Sequence, residues 1–392
     1  MTTIKQKLAI GLIVVLVLGA IAFFAFAPGI AEKGMNRVQQ ANTIAVSPDI
    51  RKFHYQLRIA DLHADSLLWH RNLLDRGTRG HVDLPRLQEG NVALQVFTTV
   101  TKSPDGLNNV QNDARTRDNI TLLALAQRWP PATWTSLTAR ALHQSTRLHA
   151  FEQRSDGNLS IIRNKRDLAR LMLLRKQGQP VVGALLGTEG SHALDGDLDN
   201  VQVLFDAGFR LMSLQHFFDN KLGGSLHGIS KLGLTEFGKA VVAQIEKLEI
   251  LLDVSHSSAN VVRDTLAIAK RPLIVSHTGI QSHCGTPRNI DDSLMKKIAA
   301  AGGLIGIGFW DSASCDISPS GIAKSIVAAV RLVGEDHVAL GSDFDGAVMT
   351  GFDVADLTNL TQALVNEGLD REVIKKVMGE NQLRFFANYL PD

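Results

Sequence analysis

Two strand ends carrying the same dipeptide constrain this chain most. Residues 248–277 read LEILLDVSHSSANVVRDTLAIAKRPLIVSH. The apolar run Ile250–Val254, interrupted only by Asp253, ends in Ser255-His256. Val261, Val262, Leu266 and Ile268 then recur on one helical face, and a second apolar run, Leu273–Val275, ends in Ser276-His277. The pattern predicts a strand, a crossover helix and a parallel strand. In parallel sheets and barrels, functional groups gather at the C-terminal strand ends. Two histidines delivered there one β/α repeat apart can converge on one metal ion. Either histidine alone would equally suit a loop or a packed core.

The rest of the chain repeats the alternation. Its 392 residues suffice for one large α/β barrel or two ordinary domains. Further strands are expected at Leu57–Leu62, Asn91–Val100, Val181–Leu186, Phe209–Leu214, Gly303–Ile307 and His337–Leu340, with helices between most of them. Residues 108–154 are expected to be mainly helical, broken at Trp129-Pro130-Pro131, with His143 and His149 on the surface. Thr235 is a candidate helix N-cap. Seven or eight strands alternating with helices suit a (β/α)8 TIM-like barrel.

Polar groups with metal or proton chemistry recur at these strand ends. Asp61-Leu62-His63-Ala64-Asp65 closes the first strand, and alternate residues of an extended segment share a face. His63 and Asp65 thus form an HxD pair suited to a divalent metal, with Asp61 a supporting partner. Glu189 follows the third strand between Gly187 and Gly190, where a carboxylate approaches a metal closely; an ordinary loop glutamate is the alternative. His216 follows the next strand, and a glycine-rich loop, Phe217–Ile229 with Asn220, Gly223, Gly224 and His227, is placed to cover a substrate. Asp343, at the last strand end, suits proton transfer, whereas Asp345 reads as a turn or helix-cap residue. Together these groups have the layout of a metal-dependent barrel hydrolase.

Formal net charge is +2 with no basic cluster, so nucleic acid has no electrostatic footprint here. Cys284 and Cys315 are the two cysteines, which excludes a disulfide scaffold and a cysteine-type zinc site. They read as two unrelated buried thiols, although an oxidising compartment would let them pair. At the N-terminus, Lys5 and Lys7 precede the apolar run Leu8–Ala27, long enough to cross a bilayer as a helix. Charge before the run favours a cytoplasmic N-terminus and a catalytic domain on the periplasmic or extracellular side. A signal peptide cleaved after Ala25-Phe26-Ala27 is the competitor; the length of the run and Pro28 argue for a retained anchor. The expected organisation is anchor 1–27, linker 28–47 and barrel 48–392.

DLHAD at 61–65, GTEGSH at 187–192, SLQH at 213–216, GLTEFG at 233–238, LLDVSHSS at 251–258, VSH at 275–277, PRN at 287–289, GSDFDG at 341–346 and GENQLRFF at 379–386 stand in one order. In them the chain resembles the renal (membrane) dipeptidase family of zinc dipeptidases. The likeness runs from about Leu57 to the C-terminus and is poor across 108–175. It implies a distorted (β/α)8 barrel with two Zn²⁺ ions, and often a homodimer. His63 and Asp65 would bind the first zinc, Glu189 would bridge both, and His256 and His277 would bind the second. His216 would contact the substrate near the scissile carbonyl, Arg288 would bind the substrate carboxylate, and Asp343 would handle protons and the substrate amine. Ser191 and Leu62 stand where the family often has other residues, without removing a ligand.

The function so implied is hydrolysis of a dipeptide by a water or hydroxide bridging the two zinc ions. Zinc and His216 would stabilise the oxyanion, and Asp343 would pass the proton to the leaving amine. Ser66, Ser255 and Ser276 are then supporting residues rather than nucleophiles. The rival readings are a related barrel hydrolase acting on another amide or lactam, a membrane-tethered binding protein without catalysis, and a structural zinc site. The last fits poorly, because such sites usually take four Cys or His ligands.

Overall fold

The computed structural model describes residues 3–39 and 44–392. Eight parallel strands close into a barrel: β1 (Ile59–Ala64), β2 (Val92–Val100), β3 (Val182–Glu189), β4 (Phe209–Ser213), β5 (Leu251–Asp253), β6 (Ile274–Thr278), β7 (Leu304–Ile307) and β8 (Val338–Leu340). They neighbour one another in chain order. The ring closes where β8 pairs with β1, Leu340 opposite Asp61. A ninth strand, Leu159–Ile161, pairs with the start of β3. Every barrel strand is buried along its length, as expected where side chains fill the interior and helices cover the outside.

The helices bury one stripe each. Glu236–Lys247 turns Val241, Val242 and Ile245 inward, and the Thr235 hydroxyl accepts a bond from Gly238 N at 3.0 Å, the expected cap. Two glycines set a close contact between barrel strands. A Cβ at Gly306 of β7 would stand 2.1 Å from the Ser276 carbonyl oxygen, and one at Gly341, just after β8, 2.0 Å from the same atom. Only glycine lets these three backbones approach so closely.

Several expectations need correction. Residues 108–118 form an irregular loop, and the first helix there is Asn119–Ala126. The Asn108 carboxamide oxygen accepts from Val110 N and Gln111 N, both at 2.9 Å. Asn112 N donates to His227 O at 2.8 Å. Asparagine side chains here replace helical hydrogen bonds. His143 and His149 are half-buried rather than superficial; His143 lies against Trp129, and His149 between Ala207 O and Arg163. Cys284 and Cys315 are joined as a disulfide, their Cα atoms 5.6 Å apart. Thirty-one residues of sequence separation concealed that neighbourhood.

The N-terminal helix is longer than the apolar run. It spans Ile4–Met35 and passes through Pro28, so the stretch expected as a linker is helical to Met35; residues 40–43 lie outside the described residues. Leu8, Leu12, Val15, Leu16 and Phe26 on it are exposed, whereas Pro28 and Glu32 are buried against the barrel. Among the described residues this is the one helix long and apolar enough to cross a membrane.

Candidate metal centre and active site

The predicted residues converge at the C-terminal mouth of the barrel. β1 delivers His63 and Asp65, β3 Glu189, β4 His216, β5 His256, β6 His277 and β8 Asp343. Two strands are irregular at the point of delivery: pairing registers shift between Asp61 and Ala64 of β1 and between Val275 and Thr278 of β6. Bulges of this kind re-aim side chains beside active sites. His256 (φ 61°) and Asp343 (φ 61°) adopt the left-handed conformation that side-chain-bearing residues avoid.

Three overlapping groups of donor atoms result: His63 with Glu189 and His277, Glu189 with His216 and His256, and His63 with Asp65 and Asp343. Within each group all ligand atoms lie within 4.8 Å of one another. Glu189 Oε1 is 3.5 Å from His63 Nε2, 3.2 Å from His256 Nε2 and 3.5 Å from His277 Nε2; its Oε2 is 3.3 Å from His216 Nε2. His63 Nε2 stands 3.5 Å from Asp65 Oδ2 and 3.8 Å from Asp343 Oδ1. His63 Nε2 is buried with no hydrogen-bond partner among the described residues. Buried imidazole and carboxylate donors crowded this closely suit divalent cations, so the residues present fit a metal.

The electrostatics agree. Burial pushes Glu189 well above the usual carboxylate range, reinforced by Asp65 and opposed by His63. Burial raises Asp343 to about 7 against the pull of His63. Burial lowers His63, but Asp65, with Glu189 and Asp343 behind it, overcomes this and leaves it at about 10. Burial, then Arg288, depresses His256 well below its ordinary range, and burial, then His63, does the same to His277. Without an ion, the proton held by His63 and the buried Arg288 are what offset these carboxylates, and a bound cation would take over that role and reverse these trends.

Arg288, which the resemblance assigns to the substrate carboxylate, is buried inside the site. Its guanidinium lies 5.0 Å from the Trp310 ring centroid, and Nη2 donates to His277 O at 3.2 Å. Nη1 is buried without a partner among the described residues. Asn289 holds this loop, donating from Nδ2 to Cys284 O at 2.8 Å and Ala313 O at 2.9 Å. His216 Nδ1 lies 3.3 Å from Lys102 O, which keeps a proton on Nδ1 and leaves Nε2 facing Glu189.

Asp61 stands outside the donor groups. Its carboxylate accepts from Gln95 Nε2 at 2.8 Å and from Ser342 N and Oγ at 2.8 and 2.7 Å. Asp345 is not a cap; Ser66 Oγ donates to it at 2.5 Å, His81 N at 2.6 Å, and Arg71 forms an ion pair with it. Sequence reading passed over Asp253 and Thr98. Thr98 Oγ1 donates to Asp65 Oδ1 at 2.6 Å, and Asp253 accepts from Ser255 N, Ser276 N and Ser276 Oγ. A charge in the middle of the apolar run Ile250–Val254 was the available signal.

The family model for membrane dipeptidases (peptidase family M19) matches residues 48–389. The chain belongs to this family. It is 27% identical over 315 residues to the dipeptidase verJ of Clonostachys rogersoniana, covering 78% of this chain and 74% of that protein. Among solved structures it is similar to the metallopeptidase called dipeptidase AC, with TM-score 0.67 and 25% identity, covering 86% of this chain and 99% of that one. It is also similar to the probable dipeptidase PvdM of Pseudomonas aeruginosa, with TM-score 0.71 and 16% identity, covering 87% and 98%. The family makes the protein a metallo-dipeptidase with a TIM-like barrel.

Proposed function

We propose that the protein hydrolyses dipeptides with two Zn²⁺ ions bridged by Glu189. His63 and Asp65 would hold one ion, and His256 and His277 the other. The observation that carries this reading is the sharing of Glu189 by the first two donor groups. Ions so held would polarise the scissile carbonyl and lower the pKa of a bound water towards neutrality.

The chain's own residues supply the rest. Asp343, whose Oδ1 stands 3.8 Å from His63 Nε2 at the edge of the donor groups, is placed to take a proton from the attacking water and give it to the leaving amine. His216 presents Nε2 beside Glu189, where the scissile carbonyl would lie; burial lowers it to about 4, so it contacts the substrate as a neutral imidazole. Arg288 Nη1, without a partner among the described residues, would bind the substrate's C-terminal carboxylate, a pairing that measures length and favours dipeptides. The helix Ile4–Met35 is read as a retained anchor, with the catalytic domain outside the cytoplasm. Lys5 and Lys7 before the apolar run and the Cys284–Cys315 pair support that side.

The deciding experiment pairs metal analysis with a small dipeptide panel that includes a C-terminally amidated dipeptide. The expected result is about two Zn²⁺ per chain and a poor amidated substrate. Arg288→Ala should reduce kcat/KM for the free dipeptide by about 2–5 kcal/mol while changing the amidated one little. Equal loss on both would remove the clamp from the reading. A metal-free preparation with full activity would remove the mechanism.

A further inference from the structure

The loop that carries Asp343 is unusually contorted. Asp343 (φ 61°), Asp345 (φ 64°) and Ala347 (φ 59°) are all left-handed without being glycine. Such a backbone persists only where its surroundings over-determine it. The barrel supplies half of the constraint: Ser342 is held by Asp61, and Asp65 N donates to Phe344 O at 2.9 Å.

The other half comes from the end of the N-terminal helix. Glu32, 1% exposed, lies between two arginines, with Oε1 2.6 Å from Arg71 Nε and Oε2 2.6 Å from Arg79 Nε. Arg71 in turn pairs with Asp345 and bonds to Val82 O. Asn36, buried, accepts from Ala347 N at 2.8 Å through its side-chain oxygen. Arg37 and Val38 pair with Met349 and Thr350 as a short parallel ribbon. His81 joins both sides: Asp345 N donates to its Nδ1 at 2.9 Å, so its Nε2 carries the proton directed at Arg37 O, 3.3 Å away.

We propose that Glu32 and Asn36 are positioning residues for Asp343, making the end of the N-terminal helix part of the active-site wall. Both lie ahead of the region matched by the family model, which begins at residue 48. Both also follow Ala27, so the device survives with the anchor retained or removed there. The proposal rests on the reading of Asp343 as the proton carrier.

The test uses the full chain in detergent. Glu32→Gln keeps the shape but removes the charge that holds Arg71. It should lower kcat about tenfold, leave KM within about twofold and leave metal content unchanged, since a small misplacement of a reacting group costs rate more than binding. Asn36→Ala should lower kcat in the same way by a few-fold, and it decides the matter if Glu32→Gln fails to fold. Leu12→Ala, in the apolar part of the same helix, should leave kcat unchanged. A folded Glu32→Gln enzyme with wild-type kcat, or one whose thermal midpoint alone falls, overturns the proposal; so does a joint loss of metal and rate. Asp343→Asn tests the underlying reading separately. If that variant keeps its activity, the reading fails whatever Glu32→Gln does.

Discussion

The Asp253 carboxylate accepts a hydrogen bond from the Ser276 hydroxyl at 2.7 Å. Because the hydroxyl proton is committed there, its oxygen is left as an acceptor. His277 Nδ1 and His63 Nδ1 point at that oxygen from 2.9 and 3.2 Å. Both rings therefore carry their proton on Nδ1 and turn Nε2 towards Glu189, the tautomer a metal ligand needs. Ser276→Ala should weaken metal binding about 10–100-fold, measured by competition with a chelator, while the thermal midpoint of the metal-free protein changes little. Unchanged affinity would show that the tautomers are set elsewhere.

Glu189 touches four imidazoles, so its removal should differ in kind from removal of an outer ligand. Glu189→Gln should lower occupancy of both metal positions and abolish turnover. Asp65→Asn should deplete one ion preferentially. Metal content by mass spectrometry separates the two; loss of one ion in both variants would contradict a bridging role.

The disulfide ties the loop bearing Arg288 to the segment Asp311–Cys315. Closing a loop of 31 residues in the unfolded chain corresponds to about 3–4 kcal/mol. Reduction, or Cys284→Ser, should lower the thermal midpoint and raise KM for dipeptides more than it lowers kcat. An unchanged KM would mean that Asn289 alone holds the loop.

His54 predicts an acid limit to stability away from the metal site. Its Nε2 lies 3.2 Å from Gly90 O and its Nδ1 2.8 Å from Thr361 Oγ1. Burial, against the Gly90 contact, lowers it from 6.5 to about 4. Between those values the unfolded chain takes up a proton that the folded chain refuses. The contribution is complete above the unfolded value and is lost as pH falls towards 4, by up to about 3 kcal/mol. His54→Gln offers the same donor and acceptor without titrating, so it should flatten the fall in thermal midpoint over that window. A parallel fall in both proteins would assign it to other groups.

The barrel and the converging residues were legible because six of the eight strands run from an apolar stretch into a histidine or carboxylate. His256 and His277 announced themselves by repetition, and the family segments supplied Arg288. What escaped detection depends on contacts between distant residues. Asp253 and Ser276 matter through one hydroxyl shared by two histidines. Cys284 meets Cys315 only when two barrel loops fold together. Residues 108–118 form a loop rather than the expected helix because Asn108 and Asn112 bond nearby backbone. The helix beyond Ala27 was obscured by Pro28, a residue that usually interrupts helices.

Gly306 and Gly341 both press against the Ser276 carbonyl, and neither admits even a methyl group. Over evolutionary time these two sites are closed to drift, since any replacement would displace the strand that aims His277. The glycine-rich loop Phe217–Ile229 at the barrel mouth lies outside that contact, so a change there leaves the aim of His277 untouched. Descendants of this chain should therefore diverge in what they cleave long before they diverge in how they cleave it.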